Sequence, residues 1–242
     1  MKFFQPYAPL LTDLYQLTMA QAYFLSNTHQ KKASFDYFYR KIPYKGGYTI
    51  FAGLEDVLDT IEAYHFNDEQ LGFLEKKGFN KDFLHYLAGF SFKTDIWSVQ
   101  EGEVIFPLEP VLRVDGNIVE CQLAETMLLN YINFQSLIAT KASRINYAAQ
   151  GRLLSDFGLR RAHSLGGIHA SRAAVIGGFH STSNVIAGLW YDIELSGTMG
   201  HAFIESFDNE LEAFRNYAKA FPAKSIFLVD TYNTLKKGIP AA

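Results

Sequence analysis

The chain has 242 residues, 48% of them hydrophobic and 19% charged, which is the composition of a globular protein with room for one large domain or two smaller ones. The formal net charge is −3, so no overall basic field predicts a nucleic-acid partner or binding to anionic lipid. Cys121 is the single cysteine, which excludes an intrachain disulfide. No apolar run approaches the roughly 18 residues that span a bilayer. We therefore expect a cytoplasmic protein without a membrane partner.

Residues 1–121 predict an N-terminal α+β domain with a small antiparallel sheet. The predicted elements are, in chain order, a helix starting at Thr12-Asp13, a strand over Ala33–Tyr39, helices over Gly53–His65, Asp68–Lys76 and Lys81–Ala88, and strands over Ile96–Val99, Val104–Phe106 and Val111–Val114. Asp115-Gly116-Asn117 is a hairpin signal, so a further strand is expected over Ile118–Cys121.

Residues 122–242 predict the first part of an α/β barrel. A long helical region over Gln122–Gly151, broken near Asn133, comes first. It is followed by predicted strands over Leu153–Phe157, Ile193–Leu195 and Ile226–Val229, a turn or short strand at Gly177-Gly178-Phe179, and helices over Ile168–Ile176, Ser183–Leu189 and Asn209–Ala220. Strands that alternate with helices at this spacing favour a parallel sheet or barrel, in which ligands bind at the carboxyl ends of the strands.

Polar segments follow the predicted strands at those ends. They are Asp156–His163, His180–Asn184, Gly197–His201 and Asp230–Asn233. Any one of them has an ordinary structural explanation, but together on one edge of a sheet they predict a functional rim.

The run Asp156–His163 contains an aromatic ring, a glycine and two adjacent arginines. The planar fork of an arginine gives a carboxylate or phosphate two parallel hydrogen bonds, and Phe157 beside it offers a face for a flat ring. The run therefore predicts a pocket for a small planar anion. The alternative is a strand end followed by two solvated arginines.

His201 follows a predicted strand on a glycine-rich loop, where it has the access needed of an acid, base, metal ligand or nucleophile. The alternative is a hydrogen-bonded structural histidine. Ser181–Asn184 offers hydroxyls and an amide at a helix start, where a plain N-cap and an anion site share one geometry. The sequence has no Walker A, G-x-G-x-x-G, G-x-S-x-G or H-E-x-x-H motif, so no metal site built from protein ligands is predicted.

Five segments carry a family resemblance when they are taken together and in order. They are Thr12–Met19, Asp156–His163, Gly177–Val185 with its Gly-Gly-Phe and Thr-Ser-Asn-Val parts, Gly197–His201 and Leu228–Tyr232. Together they resemble nicotinate phosphoribosyltransferase, the first enzyme of the Preiss–Handler route of NAD biosynthesis. The resemblance runs from about residue 7 to the C-terminus.

The resemblance implies an irregular α/β barrel of the type II phosphoribosyltransferase kind, with a second domain built partly from the N-terminus, and a homodimer. It implies that nicotinate and phosphoribosyl pyrophosphate give nicotinate mononucleotide and pyrophosphate, with hydrolysis of ATP as co-substrate. Mg²⁺ is expected to accompany the phosphates rather than to occupy a protein-only site.

The resemblance also assigns site residues. The histidine phosphorylated by ATP would be His201, with Thr198 as a nearby donor. The pyridine ring would lie between Phe157 and Tyr15 of the neighbouring subunit, Arg160 would hold the carboxylate or the product phosphate, and Asp13 and Asp230 would belong to the ribose or phosphate site. Ser183 stands where related nicotinamide-using enzymes carry an acid, and a serine there favours the anionic substrate.

The chain departs from the family in length. Family members continue past Asp230-Thr231-Tyr232 with an Arg-x-Asp-Ser-Gly-Asp segment and glycine-rich phosphate loops, and those segments are not in this sequence. We therefore expect an incomplete barrel, and an isolated chain that is inactive or very weak. The alternatives are a non-catalytic fragment or pseudoenzyme that keeps the pyridine pocket, and a transferase that acts on nicotinamide or quinolinate.

Overall fold

The computed structural model describes residues 5–242, so residues 1–4 of the predicted N-terminal domain lie outside the described part of the chain. Helices and strands mix throughout, and the fold is α/β as predicted. The helices are α1 (Leu14–Leu25), α2 (Leu54–Glu62), α3 (Asp68–Lys76), α4 (Lys81–Ala88), α5 (Ile118–Ala149), α6 (Leu165–Ile176), α7 (Val185–Tyr191), α8 (His201–Glu205), α9 (Glu210–Ala220) and α10 (Ile239–Ala241). The strands are β1 (Lys32–Tyr37), β2 (Thr49–Ile50), β3 (Asp95–Ser98), β4 (Val104–Ile105), β5 (Leu112–Asn117), β6 (Ser155–Asp156) and β7 (Ser181–Thr182). Short 3₁₀ turns also occur at Gln5–Leu10, Pro43–Lys45 and Leu159–Arg161, and a π-helical turn at Thr234–Gly238.

Asparagine side chains start several of the helices, because an asparagine oxygen accepts a backbone N–H that the first turn leaves unpaired. These N-cap residues are Asn67, Asn80, Asn117, Asn184 and Asn209. This explains why the predicted bounds of α3 and α4 agree with the structure.

The predicted hairpin at Asp115-Gly116-Asn117 is wrong. β5 runs through all three residues, and α5 begins where a strand over Ile118–Cys121 was expected. The Asn117 side chain accepts the N–H of Glu120 at 2.9 Å, and the Glu120 carboxylate accepts the N–H of Asn117 at 3.1 Å. This reciprocal capping box fixes a helix start.

An antiparallel sheet in the order β1-β5-β3 forms one wall of the N-terminal core. Phe35 of β1 and Ile96 of β3 both lie opposite Val114 of β5. The inward side chains pack against α2 and the first half of α5, and β2 pairs with β4 beside them. A second core, rich in aromatic rings, joins α1, α3 and α4 to the start of α5.

α5 is one continuous helix, so the break predicted near Asn133 is wrong. The Tyr37 hydroxyl donates to the Asn133 side-chain oxygen at 2.8 Å. That bond turns the asparagine side chain away from its own backbone, with which it would otherwise compete. The division predicted between residues 121 and 122 falls inside α5, and α5 packs against both α1 and α6.

A short parallel sheet follows α5. Ser155 and Asp156 of β6 pair with Ser181 and Thr182 of β7, and Thr182 forms a further parallel bridge with Leu195. The strand predicted over Ile193–Leu195 is thus reduced to one bridge. The described residues form no closed sheet.

The strand predicted over Ile226–Val229 pairs with no other strand in residues 5–242. The segment packs against α9 instead, where the Phe227 ring stacks on that of Phe214 at 4.8 Å. None of the helices in the described part of the chain combines the length and apolar character needed to cross a membrane.

Candidate active site

The run Asp156–His163 leaves the sheet at the carboxyl end of β6, as the strand pattern predicted. Its aromatic ring, Phe157, is 51% exposed, and the following turn over Leu159–Arg161 presents Arg160 to solvent. The Arg160 guanidinium makes no ion pair or hydrogen bond with any other described residue. A free cationic fork thus lies three residues from an exposed aromatic face.

Asp156 anchors this turn. One carboxylate oxygen accepts the N–H of Gly158 at 2.9 Å. The other accepts the hydroxyls of Ser171 at 2.7 Å and Thr182 at 3.0 Å. The first bond holds the turn itself, and the other two join it to α6 and β7.

Asn184 supports both hydroxyl donors from behind. Its side-chain amide donates to the Ser171 oxygen at 3.2 Å, and its backbone N–H donates to the Thr182 oxygen at 3.1 Å. Asn184, Ser171 and Thr182 are all buried. Asn184 thus has the N-cap role considered for Ser181–Asn184, at the start of α7. It also donates to the two hydroxyl groups that in turn donate to Asp156.

Ser183 lies beside this turn, exposed at the carboxyl end of β7. Its backbone N–H donates to the Asp156 carbonyl oxygen at 2.9 Å. The two segments that carry Phe157, Arg160 and Ser183 are thus joined through one residue. Ser196 donates its N–H to the Thr182 carbonyl at 3.0 Å, which brings the start of the Gly197–His201 loop to the same edge.

His201 is exposed at the start of α8. Its Nδ1 lies 3.2 Å from the hydroxyl oxygen of Thr231, and Nε2 has no described partner. Thr198 is exposed, and its hydroxyl donates to the Met199 carbonyl at 3.2 Å. Asp230 is exposed next to Thr231 in sequence. The fourth polar segment of the predicted rim therefore meets the third through the contact between His201 and Thr231.

Tyr15 and Asp13 lie elsewhere in the chain, on α1 and at its start. The Tyr15 hydroxyl donates to Glu125 of α5 at 3.0 Å, and this hydrogen bond raises the pKa of the phenol. Thr126 of α5 donates to Asp13 at 3.5 Å. Tyr15 is 47% exposed, and no hydrogen bond or ring contact joins either residue to the Phe157 turn within the described chain.

Gly177 and Gly178 of the Gly-Gly-Phe segment serve packing. A Cβ atom at Gly177 would collide with the Ala139 carbonyl oxygen and the Ala142 side chain of α5. Gly178 has φ +102°, a left-handed conformation that glycine adopts without strain, and a Cβ there would collide with the Asn146 side chain. These two glycines let the end of α6 touch α5 and so fix the helix that carries Ser171.

A buried ion-pair network lies next to Ser171, and no sequence pattern predicted it. Arg172 is 7% exposed, and its two terminal nitrogens donate to the two oxygens of Glu101 at 2.8 and 2.6 Å. It also pairs with Glu55. Glu101 in turn accepts the N–H groups of Gly53 at 2.5 Å and Leu54 at 3.0 Å, at the start of α2. No local spacing signals this network, since its members are far apart in sequence.

A fully buried acid, Asp56, extends the network. It accepts hydrogen bonds from Gln135 at 2.6 Å and from the Tyr191 hydroxyl at 3.1 Å. Burial raises the pKa of Tyr191, and Asp56 raises it further. Burial lowers the pKa of His169, although the negative charge of Asp56 acts to raise it. These groups tie α6 and α7 to α2 and α5.

Within residues 5–242, no group of three or more histidine, cysteine, aspartate or glutamate side chains is arranged to hold a metal ion.

Comparisons with known proteins point to one family. Residues 10–133 match the family model of the nicotinate phosphoribosyltransferase (NAPRTase) N-terminal domain. The chain is 45% identical over 235 residues to nicotinate phosphoribosyltransferase of Bacillus subtilis, covering 96% of this chain and 48% of that protein. It is 44% identical over 229 residues to nicotinate phosphoribosyltransferase pncB2 of Mycobacterium tuberculosis, covering 94% of this chain and 49% of that protein. The chain therefore spans about half the length of the curated relatives it matches.

The fold also resembles a solved structure. Human nicotinic acid phosphoribosyltransferase superposes with a TM-score of 0.86 at 31% identity, covering 95% of this chain and 56% of the human chain. The family-model match and this superposition together show that the chain belongs to the nicotinate phosphoribosyltransferase family.

Proposed function

We propose that this chain forms the nicotinate-binding part of a nicotinate phosphoribosyltransferase. The observation that carries the proposal is the turn after β6, where exposed Phe157 and the unpaired fork of Arg160 follow Asp156, whose carbonyl accepts the N–H of Ser183. Nicotinate is a flat ring with one carboxylate. It needs an aromatic face, a bidentate cation and a neutral hydrogen-bond donor, which Phe157, Arg160 and Ser183 offer in turn.

The proposed reaction joins nicotinate to phosphoribosyl pyrophosphate and releases nicotinate mononucleotide and pyrophosphate, as a step of NAD biosynthesis. ATP is the proposed co-substrate, with Mg²⁺ carried by its phosphates. Asp230 and Asp13 are proposed members of the ribose or phosphate site. Cys121, a buried free thiol, suits the reducing compartment expected of a cytoplasmic enzyme.

His201 is the proposed phosphate acceptor. When its Nδ1–H donates to Thr231, Nε2 keeps a lone pair that faces no other described side chain. The exposed hydroxyl of Thr198 is close in sequence and is proposed to donate to the phosphoryl oxygens. The exposed start of α8 allows this chemistry without rearrangement of the core.

A homodimer and a barrel complete the proposal. Tyr15 is 47% exposed and donates to Glu125, and it makes no hydrogen bond or ring contact with the described Phe157 turn of its own chain, which suits a ring that covers the site of a partner subunit. β6 and β7 pair in parallel, and Leu195 adds a further parallel bridge, which is the strand arrangement from which an α/β barrel is built.

The nicotinate contact is tested by exchanging the arginines. We expect Arg160→Lys to weaken nicotinate binding about tenfold or more, because lysine keeps the charge and loses the bidentate fork. Isothermal titration of nicotinate into the 242-residue chain measures it. Arg161→Lys is the matched control, since Arg161 is an exposed neighbour in the same turn.

A loss in Arg161→Lys with none in Arg160→Lys would move the anion contact to Arg161. Stronger binding of nicotinamide than of nicotinate would contradict the choice of the acid and favour a nicotinamide transferase. Absence of nicotinate binding at millimolar concentration would contradict the proposal itself.

The role of His201 is tested by radiolabel transfer. We expect γ-³²P-labelled ATP to place an acid-labile, alkali-stable label on the chain, and His201→Ala to abolish the label while nicotinate affinity is kept. His163→Ala is the control, because His163 is also exposed and belongs to the neighbouring polar segment. A label that survives in His201→Ala would place the phosphate elsewhere.

A further inference from the structure

The carboxylate of Asp156 is bound by the protein itself rather than left as a free charge in solvent. All three hydrogen bonds to its carboxylate come from within the chain, from Gly158, Ser171 and Thr182. The side chain is half-buried, and these bonds engage both of its oxygens, one with Gly158 and the other with the two hydroxyls. The carboxylate is therefore engaged by the protein itself.

The hydrogen bonds behind Asp156 run in one direction. The Asn184 side chain donates to Ser171, and Ser171 donates to Asp156; the Asn184 backbone donates to Thr182, and Thr182 donates to Asp156. Two paths that start at one asparagine thus end on one carboxylate oxygen. An ionised carboxylate only accepts, so it fixes the direction of both paths.

The backbone of Asp156 connects the turn that follows β6 to Ser183. Its carbonyl accepts the N–H of Ser183 at 2.9 Å, while its carboxylate accepts that of Gly158 at 2.9 Å. The Gly158 carbonyl then accepts the N–H of Arg161 at 2.8 Å, which closes the turn. One residue thereby sets the turn that bears Phe157 and Arg160 relative to Ser183.

We infer that Asp156 is a positioning residue, which holds the ring-stacking and anion-binding side chains in register with Ser183 through the hydroxyls of Ser171 and Thr182. The inference rests on the proposed nicotinate site and adds to it a group that does not touch the substrate. Asn184 and Ser171 are the supporting members, and α6 carries the second of them.

Asp156→Asn tests the inference with almost no change in shape. An amide has one acceptor oxygen and one donor nitrogen, so it cannot accept from Gly158 and from both hydroxyls together. We expect nicotinate to bind about ten- to hundredfold more weakly, since hydrogen bonds to a charged acceptor are lost. We also expect the Gly158 amide proton to shift upfield in the NMR spectrum.

Asp36→Asn is the matched control, because Asp36 is a hydrogen-bonded aspartate on the sheet of the N-terminal region. It should leave nicotinate affinity and the Gly158 resonance unchanged. The double variant Asp156→Asn/Arg160→Lys should lose less affinity than the two single losses combined, because Asp156 acts through Arg160. A purely structural effect would instead be additive.

Affinity in Asp156→Asn equal to that of Asp36→Asn, an unmoved Gly158 resonance, or additive losses would each overturn the inference. If the unchanged chain does not bind nicotinate, the proposed function fails, and the positioning role is then decided without ligand. In that case loss of hydrogen-exchange protection at the Gly158 and Arg161 amides in Asp156→Asn supports it, and retained protection refutes it.

Discussion

Replacing Arg172 with methionine should lower the free energy of unfolding by about 3–5 kcal/mol, because it leaves a carboxylate in the interior without its charged partner. The buried guanidinium holds both oxygens of Glu101 and also pairs with Glu55. Equilibrium unfolding in urea measures the loss. Methionine fills much of the same volume, so the loss reports the ion pair more than a cavity.

Arg113→Met is the matched control. Arg113 also forms a two-point contact with a carboxylate, that of Asp36, at 2.7 and 3.2 Å. Both partners are open to solvent, so we expect a loss of about 1 kcal/mol or less. Equal losses in the two variants would show that burial of the Arg172 pair contributes nothing.

The pH dependence distinguishes the ion pair from simple packing. Burial raises the pKa of Glu101, but Arg172 and the amides of Gly53 and Leu54 outweigh it and hold the pKa below its ordinary value of 4.5. A carboxyl whose pKa is lowered by folding stabilises the protein above that ordinary value, and the contribution disappears as pH falls through the lowered pKa. The difference in stability between the unchanged chain and Arg172→Met should therefore shrink below pH 4.5.

Phe214→Ala should lower the free energy of unfolding of the C-terminal cluster by about 3–5 kcal/mol, as expected when a buried ring is removed. This cluster consists of the buried residues Met199, Ile204, Ala213 and Phe214. Phe214 is 2% exposed, stacks on Phe227 and packs with Ile204 of α8. Because α8 begins at His201, the loss should appear as faster hydrogen exchange over α8 and α9. Mass spectrometry of exchanged peptides, together with urea unfolding, measures both.

Phe221→Ala is the control at the end of the same helix, since Phe221 is 57% exposed. We expect a change within about 0.5 kcal/mol. If the ring of Phe214 mattered no more than that of Phe221, the cluster would not support α8. If exchange instead accelerated equally in α4, the C-terminal cluster would not behave as a separate unit.

Local signals predicted much of the fold. α3 and α4 have the predicted bounds because each is preceded by an asparagine cap and carries an apolar face. The error at Asn117 arose where two local signals competed. Asp-Gly-Asn is typical of a hairpin, while Asn117 with Glu120 is a capping box, and the contacts of the capping box prevailed.

The candidate site likewise contains some residues that local sequence signals indicate and others that only the tertiary structure reveals. Phe157, Arg160 and His201 stay predicted site residues, which the sequence suggests because of their residue types and their places after predicted strands. Arg172 was not predicted, because its partner Glu101 is 71 residues away and only the tertiary fold brings them together. Ser171 was missed for a similar reason, since nothing in its helix indicates that its hydroxyl reaches Asp156.

The unbroken course of α5 has a geometric consequence for the site. Glu125, which holds Tyr15, and Gln135, which contacts Arg172, lie ten residues apart on this helix. That separation is about 15 Å along the axis, and each residue inserted between them would rotate one contact by about 100° relative to the other. The stretch between these two contacts therefore has a fixed length, whereas the turn that follows α5 can accommodate added residues.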